Sequence, residues 1–148
     1  ISVFCLKGME PSALVGMMSQ AKLAGLKNVT AVWSNLEVVG AAKKIKTGSV
    51  DVALAINLLH QSKHHESVFR EANRMLKVGG KLLVVDWKPR SGTLGPAEKI
   101  RVGEDAAEAV AAPTGFREVK RFEAGPHHWA ILFEKLAASS APTWAARC

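Results

Sequence analysis

Short apolar runs alternate along the chain with stretches whose apolar residues recur at helical spacing. Ile1–Leu6 is a run of the first kind and reads as a buried strand. Glu10-Pro11-Ser12 opens a helix, since proline is tolerated in a first turn and an acid suits the positive helix end. Leu14, Met17, Met18 and Ala21 continue it, and Gly25 closes it. Asn28–Trp33 forms a second strand, Leu36–Lys46 a weaker helix and Val50–Leu59 a third strand. That third run is apolar apart from Asp51 and Asn57, which suits a parallel strand covered on both faces.

The clearest helix is Glu66–Leu76. Val68, Phe69, Ala72, Met75 and Leu76 make its apolar face, and Arg70, Glu71, Asn73 and Arg74 the other. Gly79-Gly80 stops it, and Lys81–Trp87 is a fourth strand. A Gly/Pro-rich loop over residues 89–96 precedes an Ala-rich helix at Gly103–Ala112. Phe116–Glu123 and Trp129–Lys135 flank Gly125-Pro126, a turn short enough to make them an antiparallel pair at the sheet edge. Such alternation predicts a three-layer Rossmann-like α/β domain over residues 1–135, with a mostly parallel sheet of about six strands and an antiparallel C-terminal hairpin. Residues 136–148 read as a flexible tail.

Composition narrows the class without naming a function. With 148 residues, 48% hydrophobic and 22% charged, the chain suits one packed domain. No apolar stretch is long enough to span a bilayer, and the polar Lys7, Gly8 and Glu10 follow the first apolar run too soon for a secretory leader. No membrane partner is therefore expected. The net charge of +7 is scattered, with Lys43, Lys44 and Lys46 its densest group, so a solvated basic surface is favoured over nucleic-acid binding. Cys5 and Cys148 lie at opposite ends and build neither a disulfide framework nor a zinc spacing, which suggests a reducing, cytoplasmic setting.

Three segments together are specific. Asp51-Val-Ala-Leu-Ala-Ile-Asn-Leu-Leu-His60 resembles the strand of class I S-adenosylmethionine-dependent methyltransferases that begins with Asp and ends at the active-site rim. Glu71-Ala-Asn-Arg-Met-Leu-Lys-Val-Gly-Gly-Lys-Leu-Leu-Val-Val-Asp86 is similar to that family's E..R.LKPGG.L...D signature, with Val78 in place of proline. Gly115-Phe116 before a terminal hairpin resembles the family's ending. Gly79 and Gly80 are expected to serve folding, because a helix must stop and reverse tightly into a buried strand. The resemblance implies S-adenosylmethionine as cofactor and methyl transfer by in-line displacement, achieved mainly by positioning. It requires no nucleophile, so no catalytic residue is assigned. The acceptor is a small molecule or a protein.

The same resemblance locates a deficit. Family members grip the cofactor with a glycine-rich turn after their first strand, and no such strand and turn precede Ile1, so the chain reads as a fragment or a processed form. Lys7-Gly8 stand where an acid usually accepts the ribose hydroxyls, and lysine has no acceptor capacity. Glu10 can substitute only if its loop bends back; otherwise it favours the helix start. Ser34-Asn35 stand where a second acid often meets the adenine amine, and Asn35 keeps an acceptor without the charge. The candidate cofactor-binding residues are thus Gly8, Glu10, Asn35, Leu36 and Asn57, with weak or absent binding expected. The absent strand is central in the family's sheet. Either residues 1–6 pair directly with 50–59, which is preferred, or a partner chain fills the gap, as in a homodimer. In the closed form the chain would resemble the non-catalytic amino-terminal domain of anamorsin, and the alternative function is a binding or assembly module.

Other chemistry is thin. His60, His64, His65, His127 and His128 lack Cys or carboxylates at zinc spacing, so no metal site is expected. His127 or His128 can serve as a base over the strand tips, but a polar hairpin turn is the simpler reading. Asn57 divides evenly between ligand contact and loop support, Asp86 leans to support, and Trp87 either covers a pocket or packs under the Gly/Pro loop.

Overall fold

In the computed structural model, residues 2–6, 11–90 and 92–138 are described. Six strands and three α-helices follow in the order β1 (Ser2–Leu6), α1 (Pro11–Leu23), β2 (Val29–Trp33), β3 (Val50–Ile56), α2 (His65–Met75), β4 (Leu76–Trp87), α3 (Glu104–Ala111), β5 (Phe116–Glu123) and β6 (His128–Lys135). A 3-10 turn at Leu59–Gln61 joins β3 to α2. Most strand and helix positions follow the apolar pattern, with three departures: the weak helix expected at Leu36–Lys46 is a run of turns, the strand expected at Val50–Leu59 ends at Ile56, and the strand expected from Lys81 begins at Leu76.

The strands make two sheets. β1 and β2 pair in parallel, and the other four run β3-β4-β6-β5. β3 and β4 are parallel, whereas β6 is antiparallel to both β4 and β5, as the terminal hairpin requires. The fold is therefore α/β and methyltransferase-like, but its sheet is mixed and four-stranded rather than one mostly parallel sheet of six. The expected closure of residues 1–6 onto 50–59 does not occur among the described residues, where β1 pairs with β2 and β3 with β4. The loop after β2 explains this. Glu37 Oε1 accepts from Ser62 Oγ at 2.7 Å and Lys63 N–H at 3.0 Å, and Gly40 N–H donates to Glu71 at 2.7 Å. These ties hold the loop after β2 to the β3–α2 connection and to α2 through side chains, where a β1–β3 ladder would have used the strand edges.

The core lies between the four-stranded sheet and α2 and α3. Phe69, Phe116 and Phe133 meet edge to face or tilted, with ring centroids 5.9–6.3 Å apart. Trp129 is fully buried, and its indole N–H reaches the carbonyls of Val102 at 2.9 Å and Trp87 at 3.1 Å. The other face of the sheet, read from the pairing register, carries Val52, Leu54 and Ile56, each more than half exposed.

The signature segment does structural work throughout. Glu71 is fully buried, and Arg74 grips it with two 2.8 Å hydrogen bonds. Arg74 also donates to the Ile45 carbonyl at 2.9 Å, so the pair pins residues 40–45 to α2. Burial pushes the Glu71 carboxyl up, but the bonds from Arg74 and the Gly40 N–H together hold it below the usual range. Lys135 Nζ caps the carbonyls of Asn73 at 2.6 Å and Leu76 at 2.8 Å, and its burial lowers its pKa. Gly79 turns at φ 76°, and a Cβ on Gly80 would lie 2.8 Å from the Lys77 carbonyl oxygen. The helix does not wait for them, since α2 ends at Met75 with Leu76 already extended; the glycines lie within β4, where its register on β3 jumps from Leu76 to Lys81, so they serve folding but not the expected helix stop.

Candidate functional site at the strand tips

In open α/β sheets, ligands sit beyond the carboxyl ends of parallel strands. Buried polar atoms lacking a hydrogen bond mark this rim here. Among the described residues they are Ser34 Oγ, Asn57 Oδ1 and His128 Nε2. Ser34 directly follows β2 and Asn57 directly follows β3. His128 pairs in register with Trp87, the last residue of β4. All three orphans thus lie at one end of the strands, and a buried polar atom left unpaired normally has a reason beyond folding.

Asp86 anchors the rim and is fully buried. Its carboxylate accepts the main-chain N–H groups of Leu59 at 2.8 Å, Trp87 at 2.8 Å and His60 at 3.4 Å. It also lies 2.8 Å from His60 Nδ1. The support role expected for Asp86 holds, with a His–Asp pair added to it. Read from the sequence, His127 or His128 is a base only as the less simple alternative to a polar hairpin turn, and His60 figures only as a metal ligand. The His128 ring packs against Trp87 at a tilt of 45°, centroids 4.2 Å apart. Trp87 packs under the Gly/Pro loop, where a Cβ on Gly95 would strike its ring and Arg101 lies 5.8 Å from its centroid.

The structure separates the other candidates. Gly8 and Glu10 lie outside the described residues. Asn35 follows Ser34, and its Oδ1 accepts the Glu37 N–H at 3.0 Å in a tight local turn. Leu36 is buried. Asn57 stands at the tip of β3 with φ 53°, the one non-glycine residue with positive φ among those described. An open cavity of about 530 Å³ lies elsewhere, between α1 and β2, lined by Leu14, Val15, Met18, Leu26, Val29 and Ala31 among others. Among the described residues no cluster of three or more His, Cys, Asp or Glu could hold a metal, and no helix is long and apolar enough to cross a membrane.

Residues 9–84, just over half of the chain, match the model of the family described as "Methyltransferase domain". The chain belongs to the methyltransferase domain family. The resemblance to class I methyltransferases read from the sequence is borne out at that level. No curated protein matches the chain in sequence. Solved structures similar in fold include a protein assigned as a type 11 methyltransferase from Sulfolobus solfataricus, with 21% identity, 93% of this chain and 72% of that one covered, and a TM-score of 0.70. A SAM-dependent methyltransferase from Aquifex aeolicus gives 18%, 86%, 65% and 0.76. The [4+2]-cyclase SpnF gives 13%, 92%, 66% and 0.74. The chain thus spans just under two thirds of the Aquifex and SpnF chains. At these identities the likeness shows the fold alone, and a cyclase among the neighbours illustrates that this fold does not fix one reaction.

The methyltransferase family implies S-adenosylmethionine, and the rim tests that fit in part. The orphaned Ser34 hydroxyl beside Asn35 suits a hydrogen-bonding group such as the adenine amine. The ribose and methionine ends need acceptors and closely approaching main chain. Among the described residues nothing supplies these, since no strand pairs with the outer edge of β3 or with the second edge of β1. The described residues therefore fit one end of the group only, and no chemical step follows through it.

Proposed function

We propose that this chain is an S-adenosylmethionine-dependent methyltransferase-family domain that carries the acceptor side of the site and, as it stands, binds the cofactor weakly or not at all. The observation that carries the reading is the uneven rim. The tips of β3 and β4 hold a built cluster of Asn57, His60 and Asp86, whereas β1 and β3 have no shared ladder. Asn35 Oδ1 is already engaged by the Glu37 N–H, which weakens the adenine corner further.

Among the described residues one edge each of β1 and β3 is unpaired, and with the exposed Val52, Leu54 and Ile56 this favours a second reading: a non-catalytic binding or assembly module whose partner, another protein or a second copy, contributes a strand. Calorimetric titration with S-adenosylhomocysteine separates cofactor binding from its absence. Flat heats at millimolar ligand are expected for this chain. Binding tighter than about 100 μM, roughly −5.5 kcal/mol, would show that the site is complete without another strand.

A further inference from the structure

We infer that the cavity between α1 and β2 is a binding site for a single-chain anionic amphiphile, an alkyl carboxylate with its tail along α1 and its head at the Gly25 turn. The proposed function does not enter the argument. One wall is a stripe of the helix. Val15, Met18 and Lys22 recur at spacings of three and four, which places them on one face, and all three are exposed. Gly25 turns at φ 71°, and the Leu26 N–H reaches back to the Ala21 carbonyl at 2.9 Å, so the exposed Leu26 extends the same stripe. The floor is Val29 and Ala31, half-buried residues that share a face of β2. Exposed apolar side chains scattered singly need no explanation. These share one cavity of about 530 Å³, within the range of small-molecule sites.

Charge decides the occupant. Among the described residues the lining includes Lys22 and Lys27 and no carboxylate. Neither ammonium has a hydrogen bond or ion pair among the described residues. Both lysines stand at the Gly25 end, so the groove is cationic at one end and apolar along its length. A helix carboxyl end favours cations by itself, but that preference does not call for an apolar stripe beside them. Lysine stems can line the groove while their heads meet an anion. From Val15 to Lys22 the helix rises about 10 Å, which suits a medium-length alkyl chain. Because the floor is half-buried between a helix and a strand, a free chain enters it and a bilayer surface does not.

Heteronuclear NMR of the 15N-labelled chain tests this with no cofactor present, so the outcome is independent of the cofactor titration. The probes are decanoate, decanol and decyltrimethylammonium, each below its micelle concentration. Decanoate should shift the amides of Val15, Met18, Leu26 and Ala31, and should bind about tenfold or more tightly than the other two. Octanoate, two methylenes shorter, should bind about tenfold more weakly than decanoate. Lys22→Glu combined with Lys27→Glu, both at exposed positions, should turn the preference toward decyltrimethylammonium. Val15→Asp, also at an exposed position, should weaken binding of all three probes. Equal binding of the three head groups would overturn the proposal, as would no shift at millimolar decanoate or shifts confined to Val52, Leu54 and Ile56. So would groove amides that shift with protein concentration alone, which would give the groove to a second copy.

Discussion

The helix-covered face of the four-stranded sheet and the rim at its strand tips treat buried polar atoms differently. Under α2, Glu71 is fully buried yet receives Arg74 twice and the Gly40 N–H, and Lys135 closes two helix-end carbonyls. At the rim, Ser34, Asn57 and His128 keep atoms that nothing in the described fold satisfies. Both regions lie within one short domain and include residues of the same resemblance to methyltransferases. The difference separates what the signature does for folding from what the strand tips hold ready for a ligand.

Breaking the satisfied region should have the larger effect. Glu71→Ala leaves Arg74 and the Gly40 N–H without their acceptor and should destabilise the domain by about 3 kcal/mol, measured by urea unfolding. Gly80→Ala puts a Cβ 2.8 Å from the Lys77 carbonyl oxygen and 3.1 Å from that of Asp51, backbone atoms that cannot swing aside. A loss of about 1–3 kcal/mol is expected, with the transition midpoint falling accordingly.

Acid sharpens the same contrast. The Glu71 carboxyl titrates below its ordinary 4.5 in the folded chain, so its contribution is fully present above that pH and is lost as pH falls through the folded value. The stability gap between wild type and Glu71→Gln should therefore be constant above pH 4.5 and shrink below it, seen in unfolding curves across the acid range. The smallest effect is expected at the rim, and of opposite sign. Asn57→Gly relaxes the φ of 53° and removes an orphaned oxygen, and should leave stability unchanged or raise it by up to about 1 kcal/mol. A clear loss of stability there would mean that Asn57 serves folding.

The elements were legible because their signals are local. Val68, Phe69, Ala72 and Met75 announce α2 by spacing alone, and the 116–123 and 128–135 strands follow from apolar runs around a Gly-Pro turn. The loop from Leu36 misled for the opposite reason. Its apolar residues have helical spacing, but its geometry is set by Glu71 and Arg74, about 30 residues away, and by Gly40 at φ 83°. The closed sheet failed as an expectation because unpaired edges are costly, and that cost was assumed to be met within the chain. At the site, Asn57 and Asp86 could be picked out as strand-end polar residues. The His60–Asp86 contact could not, since it joins residues 26 apart through the parallel pairing of β3 and β4.

The open outer edge of β3 is the feature on which the weak cofactor site rests, and hydrogen exchange reads it residue by residue. The Asn57 N–H points to the Val85 carbonyl, and alternate residues of a strand face alternate neighbours, so Ala53, Ala55 and Asn57 donate toward β4 while Val52, Leu54 and Ile56 donate outward. The amides of Ala53, Ala55 and Asn57 should be protected, and those of Val52, Leu54 and Ile56 should exchange near the unprotected rate. Equal protection along all six would show a strand already paired on that edge and would contradict the account.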